Sequence, residues 1–298
     1  MEAIVVTFNY RLSLLGFFDW DATEVNFGIQ DQRVALKWIR THVSLFGGDV
    51  SNISLMGQSA GALSAIIQRV HSETAFISSK LILMSPPALP FSTRLHLNDI
   101  KQDLASRICF GNVSCLSHRT ADELLVEFEK MRSDYSNRQL RFLPVVDSRD
   151  ILASPMESLT QVSELSDTRI LLGNVRNETR LFIEKASPLD LSTPVFNILL
   201  KAIYPGYDSI VKDIYQNGAG FSGDQRDRLT RITSDSFFFC PFQKAIKSSR
   251  NLFAYTFGVP WSGSLVGDYC SGQACHSSDL LYLLKNSSQG NSFLFDSS

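Results

Sequence analysis

Five residues, Gly57-Gln58-Ser59-Ala60-Gly61, constrain this chain more than any other feature, because of what flanks them. A β-type run, Asn52-Ile53-Ser54-Leu55-Met56, leads in, and an apolar, Ala-rich helical stretch from Ala60 to Ile67 leads out. A strand that turns sharply into a helix at a G-x-S-x-G holds the serine hydroxyl at the strand tip, beside the free N–H groups of the helix start. Gly57 and Gly61 are expected to let strand and helix approach closely. The bland alternative is a serine that caps an ordinary helix. The strand-turn-helix setting favours a nucleophile.

The elements around this turn alternate in the way that predicts an α/β fold, a mostly parallel sheet with helices on both faces. A β-type run at 2–9 precedes an amphipathic helix at about 30–45, with Ala35, Trp38, Ile39, Val43 and Phe46 along its apolar stripe. Gly47-Gly48-Asp49 ends that helix by a glycine stop. Strands are predicted at 52–56, 80–84, 169–172 and 251–257. Residues 86–168 read as a mainly helical insertion, with a capping box at Thr120-Ala121-Asp122-Glu123. Without repeats, low-complexity tracts or linkers, residues 1–298 read as one domain.

Composition excludes several function classes. A net charge of −2 points neither to nucleic acid nor to an anionic membrane surface. No apolar run is long enough to span a bilayer. The first residues lack the basic and small-residue marks of a signal peptide. Among five cysteines, Cys109/Cys115 and Cys270/Cys275 are each spaced to close a small disulfide loop, leaving Cys240 alone; five buried thiols are the alternative. No Cys-x-x-Cys or nearby histidine pair supports a metal site, and no cofactor is expected. N-x-[ST] sequons begin at Asn52, Asn112, Asn177 and Asn286. Asn52, in a core strand, and Asn177, beside a candidate acid, are poor glycan sites.

A nucleophilic serine needs a base, and the base needs an orienting carboxylate. On an α/β sheet the chain order is nucleophile, acid, histidine. Of the five histidines, His42 precedes Ser59, His71 ends the helix that follows it, and His96 and His118 lie in the insertion. His276 follows the last strand, and elimination makes it the candidate base; the alternative is a histidine in a surface loop. Many carboxylates lie between Ser59 and His276. Glu178, just past the strand at 169–172, sits where such sites assemble. Asp213, Asp224 and Asp235 fall within helical patterns or at their edges. Glu178 as a mere helix-start residue stands level with Glu178 as the acid.

Longer blocks now become informative. Asn9-Tyr10-Arg11-Leu12 with Gly16-Phe17 resembles the NYRLxxxGF segment of type-B carboxylesterases, the family of cholinesterases, carboxylesterases and some fungal lipases. Asn26-Phe27-Gly28-Ile29-Gln30-Asp31-Gln32 with Ala35-Leu36-Lys37-Trp38 is similar to its GNxGxxDQxxALxW block. Phe46-Gly47-Gly48-Asp49 leads, as in the family, to the strand before the nucleophile. Shorter likenesses follow at Phe142–Asp147, Ser234-Asp235 with Cys240-Pro241, and Cys270–His276. The resemblance implies an α/β-hydrolase fold with Ser59 as nucleophile, Glu178 as acid and His276 as base. The Ala60 N–H would serve in the oxyanion hole, Asp279 would be the carboxylate soon after the base, and Ser64 a hydrogen-bonding serine near the acid.

The chain departs from the family at Gln58, where glutamate is usual, and at Thr179, where glycine follows the acid. The Gly-rich HGGG loop that supplies most of the oxyanion hole has no counterpart here, since Gly47-Gly48 is a helix stop. The resemblance therefore implies a partial domain, lacking the N-terminal strands, the oxyanion loop and the C-terminal helices. Trp20, Trp38 and Trp261 read as core or surface aromatics. The implied activity is hydrolysis of small carboxylic esters through an acyl-enzyme, in a secreted or secretory-pathway protein, with weak turnover by these 298 residues alone. An impaired homologue or a non-catalytic binding or adhesion module of the same fold is the alternative. A cysteine or metal hydrolase has no supporting residue pattern.

Overall fold

A computed structural model describes residues 3–18, 24–89, 91–134, 143–160, 165, 167–216, 223–248, 251–260, 270 and 272–283. Trp20, Phe142, Trp261 and the sequon at Asn286 lie outside them.

In chain order the elements are α1 (Ser13–Phe17), α2 (Phe27–His42), β1 (Ser54–Gln58), α3 (Ala60–Val70), β2 (Lys80–Met84), α4 (Arg94–Ile108), α5 (Ala121–Asp134) and α6 (Pro155–Thr160). There follow β3 (Arg169–Val175), α7 (Arg180–Ala186), α8 (Thr193–Ile203), α9 (Asp208–Ile214), α10 (Arg226–Ser234), α11 (Cys240–Ser248), β4 (Leu252–Phe257) and α12 (Ser278–Leu283). A π-helical turn, Asp235–Phe239, runs between α10 and α11.

The strands form one parallel sheet in the order β1-β2-β3-β4. Each crossover carries helices, as parallel neighbours require. Leu55, Leu81, Ile170 and Leu172 turn to a core shared with Leu36 and Ile39 of α2, Ala62, Ala65 and Ile66 of α3, and Phe242 and Ala245 of α11. The row in register on the other side of the pleat, Met56, Ile82, Leu171 and Phe253, is largely exposed. The insertion is helical, as its pattern predicts, and the capping box forms: Thr120 N donates to Glu123 at 2.8 Å, and Glu123 N to Thr120 Oγ1 at 3.2 Å.

The first family-like blocks hold one another. Arg11 grips Asp31 through Nε at 2.8 Å and Nη2 at 2.7 Å. Buried Asn26 pairs with the Val145 backbone in both directions at 2.8 Å, which fastens the insertion to the start of α2. Arg33 and Asp150 form a buried ion pair across the same seam at 2.7 Å.

Three expectations need correction. The described part of the run at 2–9 forms no strand and lies exposed, because no strand of this sheet runs beside it to complete a ladder. On α2 and the 3₁₀ turn Val43–Phe46 that continues it, the buried line is Ile29, Arg33, Leu36, Ile39 and Val43, whereas Trp38 and Phe46 are exposed. Trp38 lies one residue off that line, a rotation of about 100°, and with Val6, Phe8 and Val34 it lines a cleft of about 360 Å³. Asn52 is not in a core strand: it stands exposed in the turn before β1, hydrogen-bonded to Lys80.

Candidate active site

Three loops at the C-terminal ends of the strands build the site. At the first, β1 runs into α3 with only Ser59 between them. A Cβ on Gly57 would lie 2.1 Å from the Gly61 carbonyl oxygen, so the close strand–helix approach demands glycine at 57. Gly61 contributes differently from expectation: a Cβ there would meet nothing, and it is the Gly61 backbone that abuts Gly57. The turn forces Ser59 to φ 57° and ψ −123°, a conformation L-residues rarely adopt. Its N–H extends the sheet to Met84 O at 2.8 Å. Its side chain makes no cap bond to α3, which removes the plain helix-cap reading. Ala60 opens α3, so its N–H has no intrahelical acceptor.

The second loop follows β3. Glu178 is fully buried, and its Oε1 accepts from the Val175 N–H at 2.8 Å. It therefore serves the strand end and not the first turn of α7. Thr179 fits where the family has glycine because its hydroxyl is absorbed by α10: it lies 2.6 Å from Thr233 Oγ1 and donates to Thr230 O at 3.1 Å. Ser234 Oγ accepts the Thr179 N–H at 3.2 Å. Ser64, expected near the acid, is instead spent on Ala60 O at 3.1 Å and Gln32 at 3.2 Å. The serine against the Glu178–Thr179 turn is Ser234, whose pair with Asp235 is one of the shorter family likenesses, with no role implied for it.

The third loop carries His276. Cys270 and Cys275 form a disulfide, as do Cys109 and Cys115, while Cys240 is free and exposed. The Cys270–Cys275 loop is tied to α7 by Glu184, which accepts from Cys270 N at 2.7 Å, and to the acid turn by Asn177 N donating to Ala274 O at 2.9 Å. These ties bring His276 to Glu178: Nδ1 lies 2.6 Å from Oε2. The imidazole is buried, with the rings of Phe182 and Phe238 each 5.3 Å away, the second supplied by the π-helical turn. The other ring nitrogen, Nε2, lies 3.1 Å from the side-chain nitrogen of Gln58. Among the described residues no hydrogen bond joins it to Ser59 Oγ.

Asp279 is also buried; it accepts from Tyr255 Oη at 3.1 Å. Burial, then the charge of Glu178, hold its carboxyl above the usual carboxylate range. Burial and Asp279 push the Tyr255 phenol well above its ordinary value. The remaining candidates lie elsewhere. His42 bonds to Trp38 O, buried His71 to Arg149 O, and His118 to Ser114 O, while His96 belongs to α4. Asp224 binds Arg226, and Asp235 accepts from Tyr215. Among the described residues no cluster of His, Cys, Asp and Glu is placed to hold a metal ion, and no helix is long and apolar enough to cross a membrane.

The comparisons with known proteins agree with this architecture. The cAMP-regulated D2 protein of Dictyostelium discoideum is 29% identical over 295 residues, covering 94% of this chain and 54% of that protein. Carboxylesterase 5A of Mus musculus is 28% identical over 262 residues, 80% of this chain and 43% of its own. A solved PNB esterase superposes with a TM-score of 0.71 at 23% identity, over 92% of this chain and 58% of that structure, which gives the α/β-hydrolase fold. The chain spans about half the length of the relatives it matches. Residues 1–297 match the pattern described as the Carboxylesterase family, and to that family this chain belongs.

Proposed function

We propose that this chain carries the catalytic group of a serine esterase, with Ser59 as nucleophile, His276 as general base and acid, and Glu178 as the carboxylate that orients the imidazole. The observation that carries the reading is the buried 2.6 Å pairing of Glu178 with His276, at the sheet edge where Ser59 is strained into a left-handed turn. Ser59 Oγ attacks the ester carbonyl as Nε2 takes its proton; the proton then goes to the leaving alkoxide, and water repeats the sequence on the acyl-enzyme. The Ala60 N–H faces the oxyanion as one donor. Catalytic hydrogen bonds in unliganded enzymes are often long and tighten only with substrate, which accommodates the absence of a Ser59–His276 bond. The two disulfides fit an oxidising, secretory compartment. The substrate class is a small carboxylic ester.

One observation favours a second reading, a non-catalytic module of the same fold: Nε2 is engaged by Gln58 and not by Ser59. A fluorophosphonate probe decides between them. The esterase reading expects labelling that Ser59→Ala abolishes. Labelling that survives this substitution unchanged, or never occurs, sinks it.

A further inference from the structure

Gln58 stands at the atom on which the proposed chemistry turns, and the inference drawn from it rests on that reading of Ser59 and His276. Glu178 accepts at Nδ1, so Nδ1 carries the ring hydrogen and the neutral imidazole has a single lone pair, on Nε2. An amide nitrogen has hydrogens to give and no lone pair to offer. The Gln58 nitrogen, 3.1 Å away, therefore donates to Nε2. Ser59 must give its proton to that same lone pair. Two neighbouring residues compete for one acceptor.

We propose that Gln58 is a positioning residue that latches His276 in its neutral, resting pairing, yields Nε2 to Ser59 as substrate enters, and turns its carboxamide oxygen to accept from Nε2–H once the imidazolium forms. A carboxamide offers donors and an acceptor at nearly the same reach, so it serves both protonation states. A glutamate in its place would only accept and would favour the charged ring.

The other groups facing this imidazole are few. Glu178 holds Nδ1, and Asp279, with the Tyr255 hydroxyl upon it, is a second titratable carboxyl that interacts with Glu178. Among the described residues, α7 and the π-helical turn bring the rings of Phe182 and Phe238 against it. Arg180 is engaged by Glu184 and Asp227, and Asp235 by Tyr215. Gln58 is thus the polar side chain at Nε2 whose chemistry can be changed without touching the Glu178 contact.

The test titrates the His276 ring nitrogens by NMR in the 298-residue chain and its Gln58→Glu and Gln58→Met variants, alongside the pH dependence of fluorophosphonate labelling. Gln58→Glu should raise the His276 pKa by about one unit or more and move the acid limb of labelling with it. Gln58→Met should release Nε2 and speed labelling about three- to tenfold at neutral pH. A His276 pKa unmoved by Gln58→Glu, or Gln58→Met labelling at the parent rate, overturns the latch. Should a variant not fold, the parent chain decides: a hydrogen bond from the Gln58 side-chain amide to Nε2 supports the proposal, and an Nε2 that is free or bonded to Ser59 overturns it. Failure of the esterase reading is distinct, since Ser59→Ala then leaves labelling unchanged while the ring titration still reports on Gln58.

Discussion

Asp279 accepts a 3.1 Å hydrogen bond from Tyr255, and the charge of Glu178 opposes the ionisation of Asp279. Glu178, the proposed orienting carboxylate, therefore has a second buried carboxyl nearby, kept above the usual carboxylate range first by burial and then by Glu178. Tyr255 works the other way, stabilising the charged form. Tyr255 of β4 and Asp279 of α12 are thus electrostatically coupled to Glu178.

That coupling predicts a pH dependence of stability. A carboxyl whose folded pKa is raised contributes stability that is fully present below its unfolded value, about 4, and is lost as pH rises through the folded value. Asp279→Asn keeps an acceptor for Tyr255 and removes the ionisation. Its stability relative to the parent should therefore grow as pH rises from about 4 towards 7. Urea unfolding of both proteins across that range measures the difference. A difference that does not change with pH would refute the assignment.

Glu178→Gln should leave the fold intact, because the amide oxygen can still accept from Val175 N. The amide nitrogen would then face Nδ1 and drive the ring hydrogen to Nε2, the wrong nitrogen for a base. Replacement of a buried orienting carboxylate in this way lowers kcat by about 10⁴-fold in serine hydrolases. A comparable loss is expected in the second-order rate of fluorophosphonate labelling at Ser59. With a native circular dichroism spectrum, a loss below tenfold would show that Glu178 does not orient the base.

Gly57→Ala sets a methyl against the Gly61 carbonyl, where a Cβ would lie 2.1 Å away. Backbone on both sides leaves little room to yield. The expected cost is about 1–3 kcal/mol, of the order found for overpacked sites, with a parallel loss of labelling as the Ser59 turn opens. Gly61→Ala meets open space and should cost far less. Equal costs at the two positions would contradict the geometry.

Much of the sheet was legible beforehand because parallel strands with helical crossovers write themselves as short apolar runs. Lys80–Met84 forms over the predicted residues, and the strand predicted at 169–172 extends to Val175. The run at 2–9 carries the same signal, and its described part forms no strand, because a ladder needs a neighbour and local propensity does not supply one. The α2 stripe shifted for a related reason. Apolar side chains at Trp38 and Phe46 satisfy helical periodicity, but which of two adjacent lines is buried depends on where the sheet lies.

The primary sequence by itself determined the chemistry on offer: a serine in a strand-to-helix pentapeptide, one histidine after the last strand, several carboxylates in between, and family-like blocks around them. Only the tertiary structure decided the partners. Spacing left Glu178 level with a plain helix-start residue and the family likeness implied it as the acid; in the structure Asn177 and the Cys270–Cys275 loop draw His276 onto it at the end of β3. Gln58, rather than Ser59, was set against Nε2. Hydrogen bonds reach about 3 Å, so which groups share a proton is fixed by how distant segments pack, and residue order alone does not encode it.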